Sequence, residues 1–329
     1  MPRLVQRHEF MLFIVTVLVS AAIGAANPAF FSAANLFDLA KSSVTLGILA
    51  LGVLVVLVSG GIDVSFPAIA TACMYITCTL AIGADRLNHL SLLLACSAGI
   101  GLLLGCVNAT FVSFFRLPAL IVTLGTASLV RGTVLEFVGT RTITNLPSAL
   151  VDFSRLTLFD RATAAGDTVG LTGSVVFLVA VILFVAFVLR QTLVGRSIYA
   201  LGIDAVAAER VGFNIRHTQF VVYGLMGALA GLVGIIHAAN IRNANPKDLY
   251  GLELTVIAAV VIGGASITGG RGTVTGTLLG VYLMVVITRS LVLVGVPSEW
   301  QSVLLGGIIV LSTGITAWRA RRGAIGAAR

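Results

Sequence analysis

The chain has few charged residues, and lysine is the scarcest of them. Charged residues make up 10% of the 329 positions and apolar residues 58%, whereas about a quarter of an ordinary soluble domain is charged. Its lysines, Lys41 and Lys247, stand outside any G-x-x-x-x-G-K-[ST] segment. Without that segment the chain lacks the phosphate-binding loop that many ATPases use. This composition predicts a multi-pass membrane protein that hydrolyses no ATP itself.

Cysteine and histidine are too few and too scattered to predict a reactive site. The four cysteines lie in apolar segments without a C-x-x-C pair, and the four histidines form no HExxH motif. Free cysteine packs as a small apolar residue, and metal sites need ligands at regular spacing. No catalytic residue, metal or cofactor is predicted. The basic residues behind the net charge of +8 are equally scattered, so membrane topology explains them better than a nucleic-acid partner.

Long apolar runs dominate the chain and predict its fold. A hydrocarbon core about 30 Å thick is crossed by roughly 20 helical residues. The runs therefore predict one all-α domain over residues 1–329, a polytopic transmembrane helical bundle of about ten spans with broken helices. The predicted spans are 10–26, 44–59, 67–83, 91–115, 119–137, 169–189, 220–239, 254–267, 273–293 and 303–318. The weakest are 119–137, which contains Arg131 and Glu136, and 254–267, which runs into glycines. Either is a candidate for a broken or re-entrant helix.

The distribution of arginine orients these spans. If the amino terminus lies in the cytoplasm, the segments that fall inside carry more arginine and lysine than those that fall outside, as cytoplasmic loops usually do. Both termini are therefore expected in the cytoplasm, with loop 190–217 inside and loop 138–168 in the periplasm. The outer loop has no obvious element and fits either a partner-facing surface or a plain connector. The basic tail at 319–329 is expected to contact anionic membrane lipid.

One inner segment, GRSIYALGIDAVAAERVG at 195–212, is polar in an otherwise apolar protein. Its small residues Ala205, Ala207 and Ala208 favour a short helix, and Gly212 is typical of a residue that ends one. A short surface helix of this kind suits docking into a groove of another protein. The segment is therefore the main candidate for a partner contact.

Two glycine-rich interruptions follow apolar runs and are predicted to break helices. The first contains Gly60, Gly61 and Asp63, and the second contains Gly263 and Gly264. Non-helical backbone at membrane depth needs burial in protein or a water-filled cavity. Breaks in both halves of a transporter point to the transport path. These residues are candidates for a translocation path or gate, and the two breaks are candidates for an internal duplication.

Polar residues beside or within the spans have two interpretations each. Asp63 either lines a path or caps the helix that Pro67 opens, by accepting hydrogen bonds from backbone N–H groups. Asn108, Thr123 and Thr126 either face a polar conduit or hydrogen-bond between helices as ordinary packing. Glycines at three- and four-residue spacing in 99–105 and 224–234 predict tight helix contacts without chemistry.

Four longer segments occur in order across most of the chain. They are SGGIDVSFPAIA at 59–70, LPALIVTLGTASLVRG at 117–132, GRSIYALGIDAVAAERVGFNI at 195–215 and ELTVIAAVVIGGASITGGRGTVTGTLLG at 253–280. Together they resemble the permease subunit of bacterial ABC importers of the ribose type, which take up monosaccharides, related small polyols or the furanosyl autoinducer. Phe66 and Pro67 depart from the pattern, because many relatives have small residues there.

The resemblance implies a multi-subunit importer in the bacterial inner membrane. Its pore would be formed by two permease chains, identical or sister, with two cytosolic ABC ATPase subunits and a periplasmic solute-binding protein. In that family the loop matching 204–212 is a short cytoplasmic coupling helix that fits a cleft on the ATPase. That role is carried to Asp204, Ala207, Ala208, Glu209 and Gly212. ATP binding would then drive alternating access of the permease pair.

Two other functions fit the same layout. An ion-coupled secondary transporter or channel would use Asp63 or Arg131 as its charged group, although such carriers usually rely on buried carboxylates and this chain has few acids within its spans. A permease for branched-chain amino acids has a similar layout. Transport by the isolated chain in liposomes without ATP would favour the carrier.

Overall fold

The structure is a computed structural model that describes residues 2–82, 88–162 and 168–290, with the single positions 293, 295, 300, 303, 306 and 307. Its helices are α1 (Pro2–Ala26), α2 (Ala33–Val58), α3 (Phe66–Ile82), α4 (Leu90–Ser113), α5 (Ala119–Thr133), α6 (Ser148–Arg155), α7 (Val175–Gln191), α8 (Leu193–Ile203), α9 (Ala205–Arg210), α10 (Ile215–Ile241), α11 (Leu252–Ile262) and α12 (Val274–Ser290). Two antiparallel strands, β1 (Thr157–Ala162) and β2 (Thr168–Thr172), form a hairpin between α6 and α7.

Polar caps mark where the two most buried long helices begin. Ser32 accepts a hydrogen bond from the Asn35 backbone N–H at the start of α2, and Asn214 accepts one from the His217 N–H at the start of α10. Such caps satisfy N–H groups that the first helical turn leaves without partners. The cap at Ser32 starts α2 well before the predicted span 44–59, so that span was drawn too short.

Glycines allow α4 and α10 to pack backbone to backbone in the core. A side chain at Gly101 or Gly105 of α4 would overlap the α10 backbone at Gly227 or Tyr223. In membranes small residues bring helices close enough for such contact. The tight helix contact predicted from the glycine spacing is therefore confirmed at this interface.

Every predicted span except 303–318 overlaps a helix, and 303–318 lies almost wholly outside the described residues. In the described part of the chain, five helices are long and apolar enough to cross a membrane, or six if α7 and α8 form one span bent by 72°. The helices α3, α11 and α12 are apolar but shorter. The chain is a mostly helical multi-pass membrane protein, and the total of about ten spans stays a prediction.

The segment between α5 and α7 is more ordered than the sequence suggested. A π-helix (Val134–Val138) extends α5, and α6 and the β1–β2 hairpin follow it. The prediction of an all-α fold with no element in loop 138–168 was wrong here. The predicted span 169–189 also starts too early, because α7 begins only at Val175. Val169 and Leu171 alternate with Gly170 and Thr172, and that period of two suits a strand rather than a helix.

The two ends of the bundle carry different elements. α9 packs against the start of α10, whereas Ile143 pairs with Ala244 just beyond its end. The 27 residues of α10 span about 40 Å, so we call these the α9 end and the opposite end. α1 starts at the α9 end, where His8 Nε2 lies 2.9 Å from the carbonyl oxygen of Ile262. The amino-terminal helix and loop 190–217 therefore share one end, as the predicted topology requires.

Candidate functional site

The polar helix predicted in loop 190–217 is present as α9, which is six residues long. Asp204 precedes it, and its Oδ1 accepts hydrogen bonds from the backbone N–H groups of Val206 at 2.9 Å and Ala207 at 3.0 Å. Substituting such a cap costs about 1 kcal/mol. Asp204 therefore holds the first turn of a helix that is too short to be stable alone.

Gly212 terminates α9, as the sequence predicted. The Gly212 N–H donates to the Glu209 carbonyl at 2.9 Å, and the Phe213 N–H donates to the Ala208 carbonyl at 3.1 Å. These two hydrogen bonds, to carbonyls three and five residues back, form the Schellman motif. Capping at both ends fixes α9 as a defined surface element.

The five residues assigned to coupling divide into two groups by exposure. Asp204, Ala207, Glu209 and Gly212 are exposed at the α9 end. Ala208 is only 4% exposed and packs toward the body of the protein. Its small side chain lets α9 lie close to the bundle, so Ala208 supports the helix and does not contribute to its outer surface.

Sequence reasoning missed three aliphatic side chains on this surface. Ile203 is 75% exposed, Val206 is 58% exposed and Val211 is 79% exposed. They are isolated apolar residues in a segment whose prediction as a partner contact was based on its polar and small residues. Because α9 lies in an extramembrane loop in the predicted topology, exposed aliphatic groups here indicate a protein contact. Their apolar character within a polar loop is the sequence feature that could have predicted an interface role for them.

α2 and α11 end alike at the two predicted helix breaks. Gly60 and Gly264 have φ of +84° and +96°, a region that glycine adopts without strain. The N–H of each donates to the carbonyl three residues back, and the next N–H donates to the carbonyl five residues back. α9 ends in the same arrangement, which is a general helix terminator. The shared geometry therefore adds no support for an internal duplication.

The two breaks meet at the tip of α8 in a cluster that we call the glycine clamp: Gly60, Gly202, Gly269 and Gly270. A Cβ on Gly202 would overlap the Val58 carbonyl oxygen and would lie 2.5 Å from the Gly270 nitrogen. The Gly270 N–H also donates to the Val58 carbonyl at 2.9 Å. The backbone of α8 thus touches the end of α2 and the loop after α11 at once.

Side chains join further helices to the second break. The Tyr199 hydroxyl of α8 donates to the Gly272 carbonyl at 2.8 Å. His8 of α1 lies against the end of α11, where a Cβ on Gly264 would come within 2.8 Å of its Cδ2. The second break is therefore held from both α8 and α1.

Asp63 follows the first break and is 2% exposed. Its Oδ1 accepts hydrogen bonds from the Ser65 backbone N–H at 2.7 Å and from the Ser65 hydroxyl at 2.6 Å. Asn108 of α4 donates to Ser65 Oγ at 2.8 Å, and Thr123 Oγ1 of α5 accepts from the Val64 N–H at 3.3 Å. The structure brings Asp63, Asn108 and Thr123 together around the backbone that leads into α3. Asp63 therefore orders the backbone just before α3 begins at Phe66, and the capping role and the path role of these residues both stay predictions.

The remaining path candidates lie apart from that cluster. Thr126 is half-buried one turn beyond Thr123 on α5. Gly61 packs against the Tyr223 hydroxyl, and Gly263 packs against Gly276 of α12. At both glycines the neighbouring atoms leave no room for a side chain, so their observed role is close packing at the breaks.

Arg131, the charged candidate of the carrier interpretation, is paired. Its guanidinium forms an ion pair with Glu253 at the start of α11 and lies over the Tyr250 ring, 4.4 Å from the centroid. A partly buried charge is stabilised when it has such partners. The arrangement links α5 to α11, which is a structural role and gives no support to ion coupling through Arg131.

A multi-pass helical bundle in which a short exposed polar helix is joined to two helix breaks has the framework of a transporter permease. The chain belongs to the family described as branched-chain amino acid transport system / permease component, whose model matches residues 35–313.

Named relatives match over most of the chain. It is 33% identical to the autoinducer 2 import system permease protein LsrC of Enterobacter sp. (strain 638), over 94% of this chain and 88% of the relative. It is 31% identical to the probable ABC transporter permease protein YphD of Escherichia coli (strain K12), over 94% and 90%. It is 30% identical to the ribose import permease protein RbsC of Escherichia coli (strain K12), over 91% and 90%. No solved structure matches the chain.

Proposed function

We propose that this chain is the membrane-spanning permease subunit of an ABC importer for a monosaccharide or related small polyhydroxylated solute. The solute class is inferred from relatives named for autoinducer 2 and ribose import. The glycine clamp is the observation that carries the coupling part of the proposal, because it joins the element bearing α9 to both helix breaks. ATP is hydrolysed on separate subunits, and this chain is not itself an enzyme.

The proposed assembly contains two cytosolic ABC ATPase subunits, a second permease chain and a periplasmic solute-binding protein. It lies in the bacterial inner membrane as one transmembrane domain over 1–329, with both termini and loop 190–217 in the cytoplasm and loop 138–168 in the periplasm. The ATPase contacts the α9 end, where Ile203, Val206, Val211 and the charged Glu209 are all exposed. Aliphatic groups within a polar rim are typical of a protein interface.

Movement of α9 reaches the membrane core through backbone contact. The Val58 carbonyl lies against Gly202 and also accepts the Gly270 N–H, so displacement of α8 moves the end of α2 and the second break together. Asp63 holds the start of α3 just beyond Gly60. We therefore assign Gly60, Asp63, Asn108 and Thr123 to an inner gate that changes when α9 is displaced.

A double substitution tests the proposed ATPase contact. Val206→Ser with Val211→Ser removes exposed aliphatic groups and leaves the Asp204 cap and the Gly212 terminator intact. Burial of each valine in an interface contributes about 1.5 kcal/mol or more, so co-purification of the ATPase subunit should fall about tenfold or more. The matched control is Leu158→Ser with Phe159→Ser, an exposed apolar pair on β1 at the opposite end.

The control pair should retain the ATPase at the level of the unaltered chain. Both variants should elute as folded protein in size-exclusion chromatography. Undiminished ATPase binding by the α9 variant would contradict the assignment of this surface.

The family description favours branched-chain amino acids as a second solute class. Reconstituted complex should take up D-ribose or another monosaccharide in an ATP-dependent manner, and unlabelled L-leucine should not compete. Competition by leucine, with no monosaccharide taken up, would establish the amino acid class instead. Uptake by the isolated chain without ATP would establish the carrier.

A further inference from the structure

A cavity of about 860 Å³ opens at the end opposite to α9. It lies between the first turns of α2, the last turns of α10 and α12, and the segment around 248–255 that leads into α11. None of the residues assigned above to the coupling surface or the inner gate lines it. We call it the outer cavity.

Three helices present one polar face each to the outer cavity. α2 contributes Asp38, Lys41 and Thr45, which follow each other at three- and four-residue spacing. α10 contributes His237 and Asn240, which are three residues apart, and α12 contributes the adjacent residues Thr288 and Arg289. Side chains three or four apart share a face of a helix. Polar residues on inward faces of a membrane bundle are costly and mark solute pathways.

The lining of the cavity carries as many carboxylates as lysine and arginine side chains. Its lining has two carboxylates, Asp38 and Asp248, and two cations, Lys41 and Arg289. No ion pair joins Asp38, Lys41 or Arg289 to any residue that the structure describes. Asp38 and Arg289 are exposed where they line the cavity, and Lys41 is half-buried.

Asp248 has an unsatisfied atom in the same place. Its Oδ2 is buried, has no hydrogen-bond partner among the described residues and lies 3.9 Å from His237 Nε2, beyond hydrogen-bonding distance. Burial raises the pKa of this carboxyl above its ordinary value. A buried acceptor without a donor is unfavourable, so a ligand that donates a hydrogen bond would be stabilised there.

We propose that the outer cavity is a binding site within the permease for a neutral polyhydroxylated solute of monosaccharide size. This inference rests on the proposed importer function and names the part of the chain that holds the solute. Each sugar hydroxyl is both donor and acceptor, which matches a lining that mixes carboxylates, cations and hydroxyl groups. The balanced charge gives no preference for an anion or a cation.

The position of the cavity connects it to the glycine clamp through rigid elements. Asp38 and Val58 are about 30 Å apart along the same helix α2. α12 likewise runs from the second break to Thr288 and Arg289. Displacement of α8 therefore shifts two walls of the outer cavity, so that binding at one end is coupled to movement at the other.

Thiol labelling tests the site in the full-length permease, co-expressed with its partner subunits and reconstituted in nanodiscs. Thr45→Cys places a thiol on the cavity wall, and a small cationic methanethiosulfonate reagent should modify it beyond the level of the unaltered chain. The probes are D-ribose, D-xylose, D-galactose and L-leucine. At least one of the sugars should slow the modification, and leucine should not.

Absence of labelling at position 45 would overturn the proposal, because the cavity would then be closed to water. Labelling that none of the sugars slows, or that only leucine slows, would overturn it as well. The ATPase co-purification described above is measured on the same preparation. If the ATPase still binds but no sugar protects position 45, the importer assignment stands and the outer cavity is not the solute site. If a sugar protects position 45 but the ATPase does not bind, the outer cavity is a sugar site and the importer assignment fails.

A pair of lysine variants completes the test. Lys41→Met removes a charged donor from the wall and should raise the protecting sugar concentration about tenfold. Lys247→Met is the matched control, because Lys247 is exposed at the same end but does not line the cavity. Its protecting concentration should stay within about twofold of the unaltered chain. Equal values for both variants would contradict the assignment of Lys41.

Discussion

The two ends of this permease are built by different means. At the α9 end, α8 meets α2 and the loop after α11 through glycine backbone, with no space for a side chain at Gly202. At the opposite end the same α2 carries Asp38 and Lys41 into an open cavity of about 860 Å³. Direct backbone contact transmits displacement because there is no free space between the elements. A cavity lined by side chains has space for a ligand and tolerates substitutions. This is the difference that the proposed coupling and the proposed solute site require of the two ends.

Gly202→Ala should produce the largest effect and is the strongest test of this comparison. The added methyl meets the Val58 carbonyl and the Gly270 nitrogen, which are backbone atoms that cannot turn away. The free energy of unfolding should fall by about 1–3 kcal/mol, and ATP-driven uptake should be lost. Thermal unfolding in detergent and uptake into proteoliposomes measure the two effects.

Gly125→Ala is the control for that substitution. Gly125 is exposed in α5 and has nothing within 4 Å of the position that a Cβ would take. Alanine should leave stability unchanged or raise it by up to about 1 kcal/mol. Equal behaviour of the two variants would remove the distinction between a clamped and a free glycine.

Ser65→Ala should have the next largest effect. It removes the acceptor of the Asn108 amide and one of the two donors to Asp63 Oδ1. Because these groups are buried, the loss should cost about 1–3 kcal/mol of unfolding free energy. Ser42→Ala, on the wall of the outer cavity, should cost less than about 0.5 kcal/mol because the lost hydroxyl faces open space. A larger loss at Ser42 than at Ser65 would reverse the assignment of the packed and open ends.

Apart from the control variants, Asp204→Ala should have the smallest effect on stability, and it tests the role of α9. It removes the acceptor for the Val206 and Ala207 N–H groups, so the helix is weakened by about 1 kcal/mol. Solute uptake per ATP hydrolysed should fall about fivefold. Asp204→Asn keeps a capping oxygen, and asparagine is as good a cap as aspartate. The assignment requires normal coupling in Asp204→Asn; a loss equal to that of Asp204→Ala would point to charge rather than capping.

The features predicted correctly from the sequence are local ones. The apolar runs gave the positions of the long helices, and the Asp204 and Gly212 ends of α9 follow from short-range capping rules. The α4–α10 contact was predictable because glycine spacing on one helix already limits what can pack there.

The features that were missed depend on residues far apart in the chain. Nothing local indicates that Gly202 meets Gly60 and Gly270. The predicted span 44–59 left out Asp38 and Lys41, which lie on α2 and line a cavity. Residues 169–172 were assigned to the span 169–189 because they are partly apolar, although their two-residue period is typical of a strand. The glycine clamp and the cavity depend on tertiary contact, whereas the strand was indicated by the local sequence pattern.

The 72° bend between α7 and α8 makes α8 a short arm set at an angle to α7. Thr192 lies at the corner, and its hydroxyl accepts the Gly195 N–H at 3.0 Å. The arm beyond it, α8, has eleven residues and is about 16 Å long. A sideways push of about 3 Å at the tip of such an arm corresponds to a rotation of roughly 10° at the corner. Because both helix breaks contact the tip of α8, a small rotation of α8 would displace the end of α2 and the loop after α11 at the same time.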